Sequence, residues 1–396
     1  MAQLPGIGVF GTGMIVKCLV PILKSSGFNV EAIWAKTKEA AEESAKEMDI
    51  AFFTTKADEL LLHRNVDLIF IQCPPHLQSP IAIKALGIGK HVVCGLPSGP
   101  SQLDALKMLK AAQYYPSLMS LMCNGLRFLP CYIKMKQLVE DGYIGKVTVC
   151  EVHIHCGSFL KNKYDWMCDE QMGGGVLNLH GALVIDLLTF LTGQKVVKVN
   201  GHLHTFNTQT DKIKGIREIS SDDFCSFHLE MKDGTFVVVT INSHVPGDFS
   251  QTVLLCGTNG YLKVQGMNLY GKPNADIIEE PIHTDNENVF DVVRAPSRDD
   301  KTKSPIPTQH LKGMIKLVES VKEAFMGVEE RHGYSRDPLR LGQTFEDGQY
   351  VQAVVDAVKQ SSKSKNWVKV QIIEEEPDPN MYLSDAVKRT TISYYV

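Results

Sequence analysis

The stretch Ile7-Gly8-Val9-Phe10-Gly11-Thr12-Gly13-Met14-Ile15-Val16 decides the fold. Its apolar start predicts a short buried strand over 6–10, and the spacing of apolar residues after Gly13 predicts a helix running to Lys24. Gly11, Thr12 and Gly13 join the two directly. In that context Gly11 permits a tight turn, and Gly13 lets the backbone approach a pyrophosphate lying on the helix N-terminus. Val16 stands where the motif's third glycine would allow close helix–strand packing. A glycine pair alone also fits a plain turn; the strand–helix–strand spacing around it favours a dinucleotide site.

Working outward, β-rich runs at 30–34, 51–53, 68–73, 91–93 and 119–123 alternate with helical stretches such as 38–47. Alternation of this kind predicts a parallel sheet flanked by helices. The second strand ends Trp34-Ala35-Lys36-Thr37. Ala35 brings no carboxylate to bind a ribose 2′-hydroxyl or repel a 2′-phosphate, while Lys36 brings charge and Thr37 a hydroxyl, so the expected cofactor is NADP. The alternative is an exposed lysine in a surface turn.

From residue 147 the runs lengthen and alternate, at 147–155, 196–204, 224–231, 235–243, 251–256 and 261–265. That pattern predicts an antiparallel sheet, with Lys232-Asp233-Gly234 and Thr258-Asn259-Gly260 as its turns. A helix over 176–191 opens on Gly173-Gly174-Gly175 and stops at Gly193, and further helices are expected at 311–326 and 344–361. Charge and prolines mark 285–307 as a mobile loop. The fold class is therefore α/β: a Rossmann domain over 1–123, then an α+β domain over 124–373 with an open, mainly antiparallel sheet, then a tail over 374–396 that is loosely attached or packs on a neighbouring subunit.

The 396 residues are 44% hydrophobic with a formal charge of −4 and no basic cluster, which argues against nucleic acid and anionic membranes as partners. No apolar run approaches the roughly 20 residues of a membrane span. The N-terminus lacks signal-peptide features and the ten cysteines lack framework spacing, so a cytoplasmic protein is expected, with unconventional export left open. His153 with His155, and His202 with His204, share strand faces, yet nothing is spaced to complete a metal site, and no metal is expected.

Longer strings carry a resemblance. Cys73-Pro74-Pro75-His76-Leu77, 85–94, Asn124-Gly125-Leu126-Arg127-Phe128-Leu129-Pro130, 142–147 and Gly173-Gly174-Gly175-Val176-Leu177 resemble segments of the glucose-fructose oxidoreductase and inositol dehydrogenase family, to about Ile373. The resemblance implies cofactor contacts at Gly11, Thr12, Gly13, Met14, Trp34, Ala35, Lys36, Thr37, Cys73, Pro74, Pro75, Leu77, Gly95 and Asn124. It also implies a Glu-Lys-Pro turn carrying a catalytic lysine, then an aspartate and a histidine on the glycine-opened helix. Here the turn reads Gly95-Leu96-Pro97, and the two helix positions fall on Leu179 and Leu183, while a downstream aspartate survives as Asp186.

Leucine neither accepts nor donates a proton, and losing one general base costs roughly 10² to 10⁴ in rate. A greasy pocket would also leave a polyol's hydroxyls unpaired at about 1–3 kcal/mol each. A shifted register would put His180 in place of Leu183, against the frame set by Gly181 and Asp186. His155, Tyr164 and His180 remain as substitute proton carriers. The expectation is a catalytically inactive relative of sugar and polyol dehydrogenases that binds NADP(H) as a sensor or dimeric scaffold. The alternative is an active NADP-dependent oxidoreductase with a relocated proton donor. The open sheet suits a homodimer, and any further protein partner is unknown.

Overall fold

The computed structural model describes residues 4–160, 164–209, 218–275, 278–286, 306–328 and 333–376. Most of the loop expected over 285–307 and of the tail expected over 374–396 lies outside the described residues.

The N-terminal half is a six-stranded parallel sheet in the order β3-β2-β1-β4-β5-β6. Its strands are β1 (Ile7–Phe10), β2 (Val30–Trp34), β3 (Phe52–Thr54), β4 (Leu68–Ile71), β5 (His91–Cys94) and β6 (Ser120–Met122). β1, β4 and β5 are buried along their whole length, as strands covered on both faces must be. The crossover helices are α1 (Met14–Ser25), α2 (Lys38–Glu47), α3 (Ala57–Leu61), α4 (Pro75–Gly87) and α5 (Gln102–Tyr114). The strand order reverses between β1 and β4, which pair in parallel, and a crevice opens there at the carboxyl ends of the strands. Val16 fills the α1–sheet interface and is fully buried, so its helix packs without the third glycine. Gln72 and Cys73, read as the end of a strand over 68–73, have already left β4 for the loop before α4.

After α6 (Pro130–Glu140) comes β7 (Val147–His155), the first strand of a nine-stranded sheet ordered β14-β13-β12-β11-β7-β10-β9-β8-β15. The others are β8 (Val196–His204), β9 (Phe224–Met231), β10 (Phe236–Asn242), β11 (Ser250–Gly257), β12 (Gly260–Gln265), β13 (Asn268–Pro273), β14 (Glu280–His283) and β15 (Val368–Lys369). The sheet is mainly antiparallel, with one departure from the sequence reading: β7 and β10 pair in parallel from Phe236↔Val149 to Asn242↔His155. Between β7 and β8 the expected single helix over 176–191 divides into a π-helical turn, Leu177–Gly181, and α7 (Ala182–Thr192), closed by Gly193 in the left-handed region.

One face of this sheet, including Val152, Phe227, Val239 and Val253, is buried under α6, α7 and α9 (Phe345–Ser364). α9 begins with a reciprocal cap between Thr344 and Asp347. The other helix of the C-terminal half, α8 (Thr308–Phe325), goes elsewhere: Leu311, Leu317, Val318 and Val321 join the core formed by β1, β4 and α1. A break at 123/124 therefore separates the two sheets but not the two cores. No helix among the described residues is long and apolar enough to cross a membrane.

Candidate functional site

At the crevice, Gly11 has φ +121°, and an added Cβ would meet the Gln72 carbonyl at 2.4 Å, so only glycine makes this turn. Gly13 is the N-cap of α1, and a Cβ there would meet nothing within 4 Å. The head of the helix thus faces open space, edged by part-exposed Thr12 and by exposed Met14 and Ile15. A bare backbone at a helix N-terminus, where the first N–H groups lack helical partners, suits a pyrophosphate, so these residues fit a dinucleotide.

At the end of β2, Trp34 packs on Phe10 with centroids 5.5 Å apart, and its Nε1 donates to the Thr55 carbonyl at 2.9 Å. Ala35 is buried while Lys36 and Thr37 are exposed. Thr37 Oγ1 accepts from the Ala40 amide at 3.3 Å, capping α2. Lys36 pairs with no carboxylate among the described residues.

At the ends of β4 and β5, the Cys73 carbonyl accepts from Gln78 Nε2 at 3.0 Å, and burial pushes the Cys73 thiol up to about 12. That thiol stays neutral and unreactive. Pro74 and Pro75 lead into α4, with part-buried Leu77 in its first turn. Space at Gly95 is tight, since a Cβ would lie 3.0 Å from Gln72 Oε1. Leu96 follows on a cis peptide to Pro97, partly buried against Ile71 and Cys94 and their neighbours.

The two halves meet at glycines. A Cβ on Gly173 would lie 2.7 Å from Pro75, and one on Gly125 would lie 2.1 Å from the Gly313 backbone of α8. Gly175, at φ +102°, lies against Asp222, whose Oδ2 accepts from the Leu177 amide at 2.8 Å. These contacts fix the turn that carries Leu179 and His180 and leads into α7, where Leu183 lies. Leu183 is partly buried against the second-domain core.

Asp186 is fully engaged: it accepts from Asn124 Nδ2 at 2.7 Å and Arg127 Nε at 2.8 Å, and pairs with Arg127 Nη2. Burial raises its carboxyl to about 6 against the opposing pull of Arg127. Asn124 Oδ1 accepts from the Leu126 amide at 3.1 Å, so both ends of that side chain are occupied inside the domain junction.

Among the three substitute proton carriers, His155 is exposed at the end of β7, with Nδ1 3.4 Å from Ser250 Oγ. Tyr164 lies partly buried with its hydroxyl 3.4 Å from the Glu218 carbonyl. His180 stands apart from both. Its ring lies 5.6 Å from Phe249 and 6.2 Å from His310, on the first turn of α8, and Phe249 and His310 are themselves 5.3 Å apart. Burial, helped by His310, drives His180 down to about 3, and burial drives His310 to about 4. Both rings are neutral at pH 7. His310 and Phe249 were not read from the sequence; the available signal was the polar set Gln309, His310 and Lys312 in a helix that otherwise buries apolar residues.

The two histidine pairs lie on strands that do not adjoin in the sheet. β10 and β9 separate β7 from β8, which puts the pairs about 14 Å apart. Among the described residues no three His, Cys, Asp or Glu side chains converge as metal ligands. A cavity of about 450 Å³ beside the edge strand β6, lined by Leu109, Leu121, Arg336 and Phe345, holds none of the residues above. The strand-end crevice has the geometry that recognises a nucleotide, and that decides between them.

Comparison with known proteins gives consistent matches. Residues 6–121 match the family model described as oxidoreductase family, NAD-binding Rossmann fold, and residues 132–263 match the GFO/IDH/MocA C-terminal domain. The chain is 47% identical over 395 residues to glucose-fructose oxidoreductase domain-containing protein 1 of Xenopus tropicalis, covering 99% of this chain and 100% of that protein. It is 44% identical over 392 residues to domain-containing protein 2 of Homo sapiens, covering 99% and 100%. A levoglucosan dehydrogenase solved with NADH and L-sorbose superposes with a TM-score of 0.77 at 20% identity, over 94% of this chain and 100% of that one, a likeness of fold alone.

Proposed function

Because the chain belongs to the GFO/IDH/MocA oxidoreductase family, we propose that it binds a nicotinamide dinucleotide, NADP(H) in preference to NAD(H), without carrying out the sugar-type hydride transfer. Gly11, Thr12, Gly13 and Met14 would hold the pyrophosphate, Trp34 to Thr37 the adenosine ribose with its phosphate, and Cys73, Pro74, Pro75, Leu77 and Gly95, with Asn124 through its backbone alone since its side chain is occupied, the nicotinamide side. When bound, the nicotinamide supplies a hydride acceptor at its ring carbon. The chain's own part would be to take the alcohol proton as the hydride leaves, and it lacks the group to do so.

The observation that carries this reading is the set Leu96, Leu179 and Leu183 at the positions the resemblance assigns to proton transfer, with the remaining carboxylate, Asp186, locked by Arg127. The test is a thermal-unfolding shift with NADP. Saturating ligand at 100 times its dissociation constant adds about 2.7 kcal/mol to stability, whereas an unchanged midpoint sinks the cofactor assignment.

The sheet's outer face supports a homodimer. Its central rows, Asn200-His228-Val238-Glu151-Leu254-Lys263 and Ser226-Thr240-His153-Thr252, carry few charges and are covered by no described element. In this reading the dimer is a scaffold or sensor whose state reports cofactor. All ten cysteines are free thiols, which supports a cytoplasmic setting.

A second reading, an active oxidoreductase with a relocated proton donor, draws its support from His180. Its ring is paired with another titratable ring, that of His310, beside the glycine-opened turn. Turnover of NADPH with carbonyl compounds that is abolished in His180→Phe would favour it.

A further inference from the structure

Neither the His180 nor the His310 imidazole makes a hydrogen bond with any described residue, and the two rings adjoin. His180 Nδ1 and His310 Nε2 are shut away from solvent without a partner, and no hydrogen bond engages either ring's other nitrogen. Native structures rarely leave such groups unpaired, and each one calls for an explanation, a bound molecule among them. The pair is also held in place. Beside His310, Gln309 Nε2 donates to Gln251 Oε1 at 2.9 Å, and Gln251 Nε2 donates to the Tyr132 hydroxyl at 2.8 Å, both inside the core. On the other side Lys312 is paired with Asp285. These contacts anchor the first turn of α8, which carries the partly exposed His310.

We propose that His180, His310 and Phe249 form the binding site for an uncharged ligand that carries one hydroxyl or carbonyl oxygen on a hydrocarbon body. A neutral imidazole offers one N–H donor and one bare acceptor. Two of them can therefore satisfy both sides of a single hydroxyl, one ring donating to its oxygen and the other accepting its proton, with a small ring adjustment to admit it. Phe249 touches both rings and supplies an apolar wall, and Leu179 and Leu183 neighbour His180 in the chain. A polyol would bring several hydroxyls to a surface with partners for one, which selects against it. A charged ligand finds no free counter-charge, because Lys312 and Asp285 neutralise one another. A metal ion lacks a third ligand among the described residues. The inference names the ligand of the proposed sensor and rests on that reading for its biological sense, while its geometry stands on these three side chains alone.

The experiment uses the full chain loaded with NADP and labelled with ¹⁵N-histidine, titrated with cyclohexanol and, separately, with myo-inositol, the same six-membered ring fully hydroxylated. Cyclohexanol is expected to move the imidazole nitrogen signals of His180 and His310 saturably, the two being assigned by their loss in His180→Phe and His310→Phe, while myo-inositol leaves them in place. His310→Phe should weaken cyclohexanol binding roughly tenfold and keep the thermal shift with NADP. The proposal is overturned if cyclohexanol leaves both signals unmoved, or if the double phenylalanine variant binds it as tightly as the native chain. Should the variants fail to fold, the signal shifts in the native chain decide, with ¹³C-labelled ligand locating cyclohexanol beside histidine protons. Cyclohexanol binding without any NADP shift would instead defeat the cofactor reading and leave this one standing.

Discussion

Arg127 holds Asp186 through two nitrogens of its guanidinium, Nε at 2.8 Å from Oδ2 and Nη2 on Oδ1, inside the junction between the two domains. The one carboxylate that persists beside the emptied reaction positions is thereby a structural ion, and removing its partner leaves it buried with only Asn124 to bind it. Arg127→Met should destabilise the chain by about 3–5 kcal/mol. Urea unfolding measures this, and the double variant Arg127→Met/Asp186→Leu should recover most of the loss. An unchanged midpoint in the single variant would show the pair to be dispensable.

The two glycines of the first turn should separate fold from binding. Gly11→Val forces a left-handed backbone and a 2.4 Å clash with the Gln72 carbonyl, so it should unfold or strongly destabilise the N-terminal sheet. A Cβ on Gly13 meets nothing within 4 Å, so Gly13→Val should keep the fold while abolishing the NADP-induced thermal shift. Circular dichroism and calorimetry on the two purified variants check both halves.

Lys36 is exposed and free of any described carboxylate, which leaves its charge available to a 2′-phosphate. Lys36→Glu should weaken NADP roughly ten- to a hundredfold, the value of one charge-assisted hydrogen bond, and leave NAD unchanged or improved. Equal affinities for NADP in native and variant protein would place the phosphate elsewhere.

Acid should weaken the fold through the histidine pair. His180 at about 3 and His310 at about 4 lie below the 6.5 of a free imidazole, so in that interval the unfolded chain binds more protons than the native one. Their contribution is complete above 6.5 and is lost as pH falls below it, at about 1.4 kcal/mol per pH unit for each ring. Asp186 and Asp222, raised from 3.8 to about 6, act with the opposite sign as pH falls from 6 to 3.8. Comparing the native chain with His180→Phe/His310→Phe cancels these carboxylates. Between about pH 7.5 and about pH 5.5 the native protein should lose stability relative to the variant; parallel denaturation profiles would contradict the burial of the pair.

The sheet's outer face should hold two chains together. Light scattering is expected to give twice the chain mass, and Leu254→Glu, placed opposite Glu151 in register, should split the dimer without unfolding it. A native chain that runs as a monomer at micromolar concentration removes the partner from the account.

Where the sequence was informative, local chemistry decided the structure. The bounds of β2, α2, β7, β8 and β9 could be read because their periodicity is strict, and the turn at Gly11 could be read because only glycine meets its backbone demand. What escaped depends on partners distant in the chain. Alternation identifies β10 as a strand but not that it lies parallel to β7, and the apolar stripe of α8 does not say which of two cores it enters. β13 and β14 went unread because glycine and prolines break their pattern. The histidine pair was half legible: His180 sits in a recognisable string, whereas His310 gains meaning only once α8 brings it back against that turn.

The most direct test of the central claim is a single-turnover experiment. Protein saturated with NADP, as established by its thermal shift, is mixed with a panel of sugars, polyols and simple alcohols, and the absorbance of reduced nicotinamide is followed. Tight binding with no reduced cofactor beyond the enzyme-free rate is the expected result, since Leu96, Leu179 and Leu183 can take no proton. Formation of NADPH at a rate that saturates with substrate and disappears in His180→Phe would contradict it.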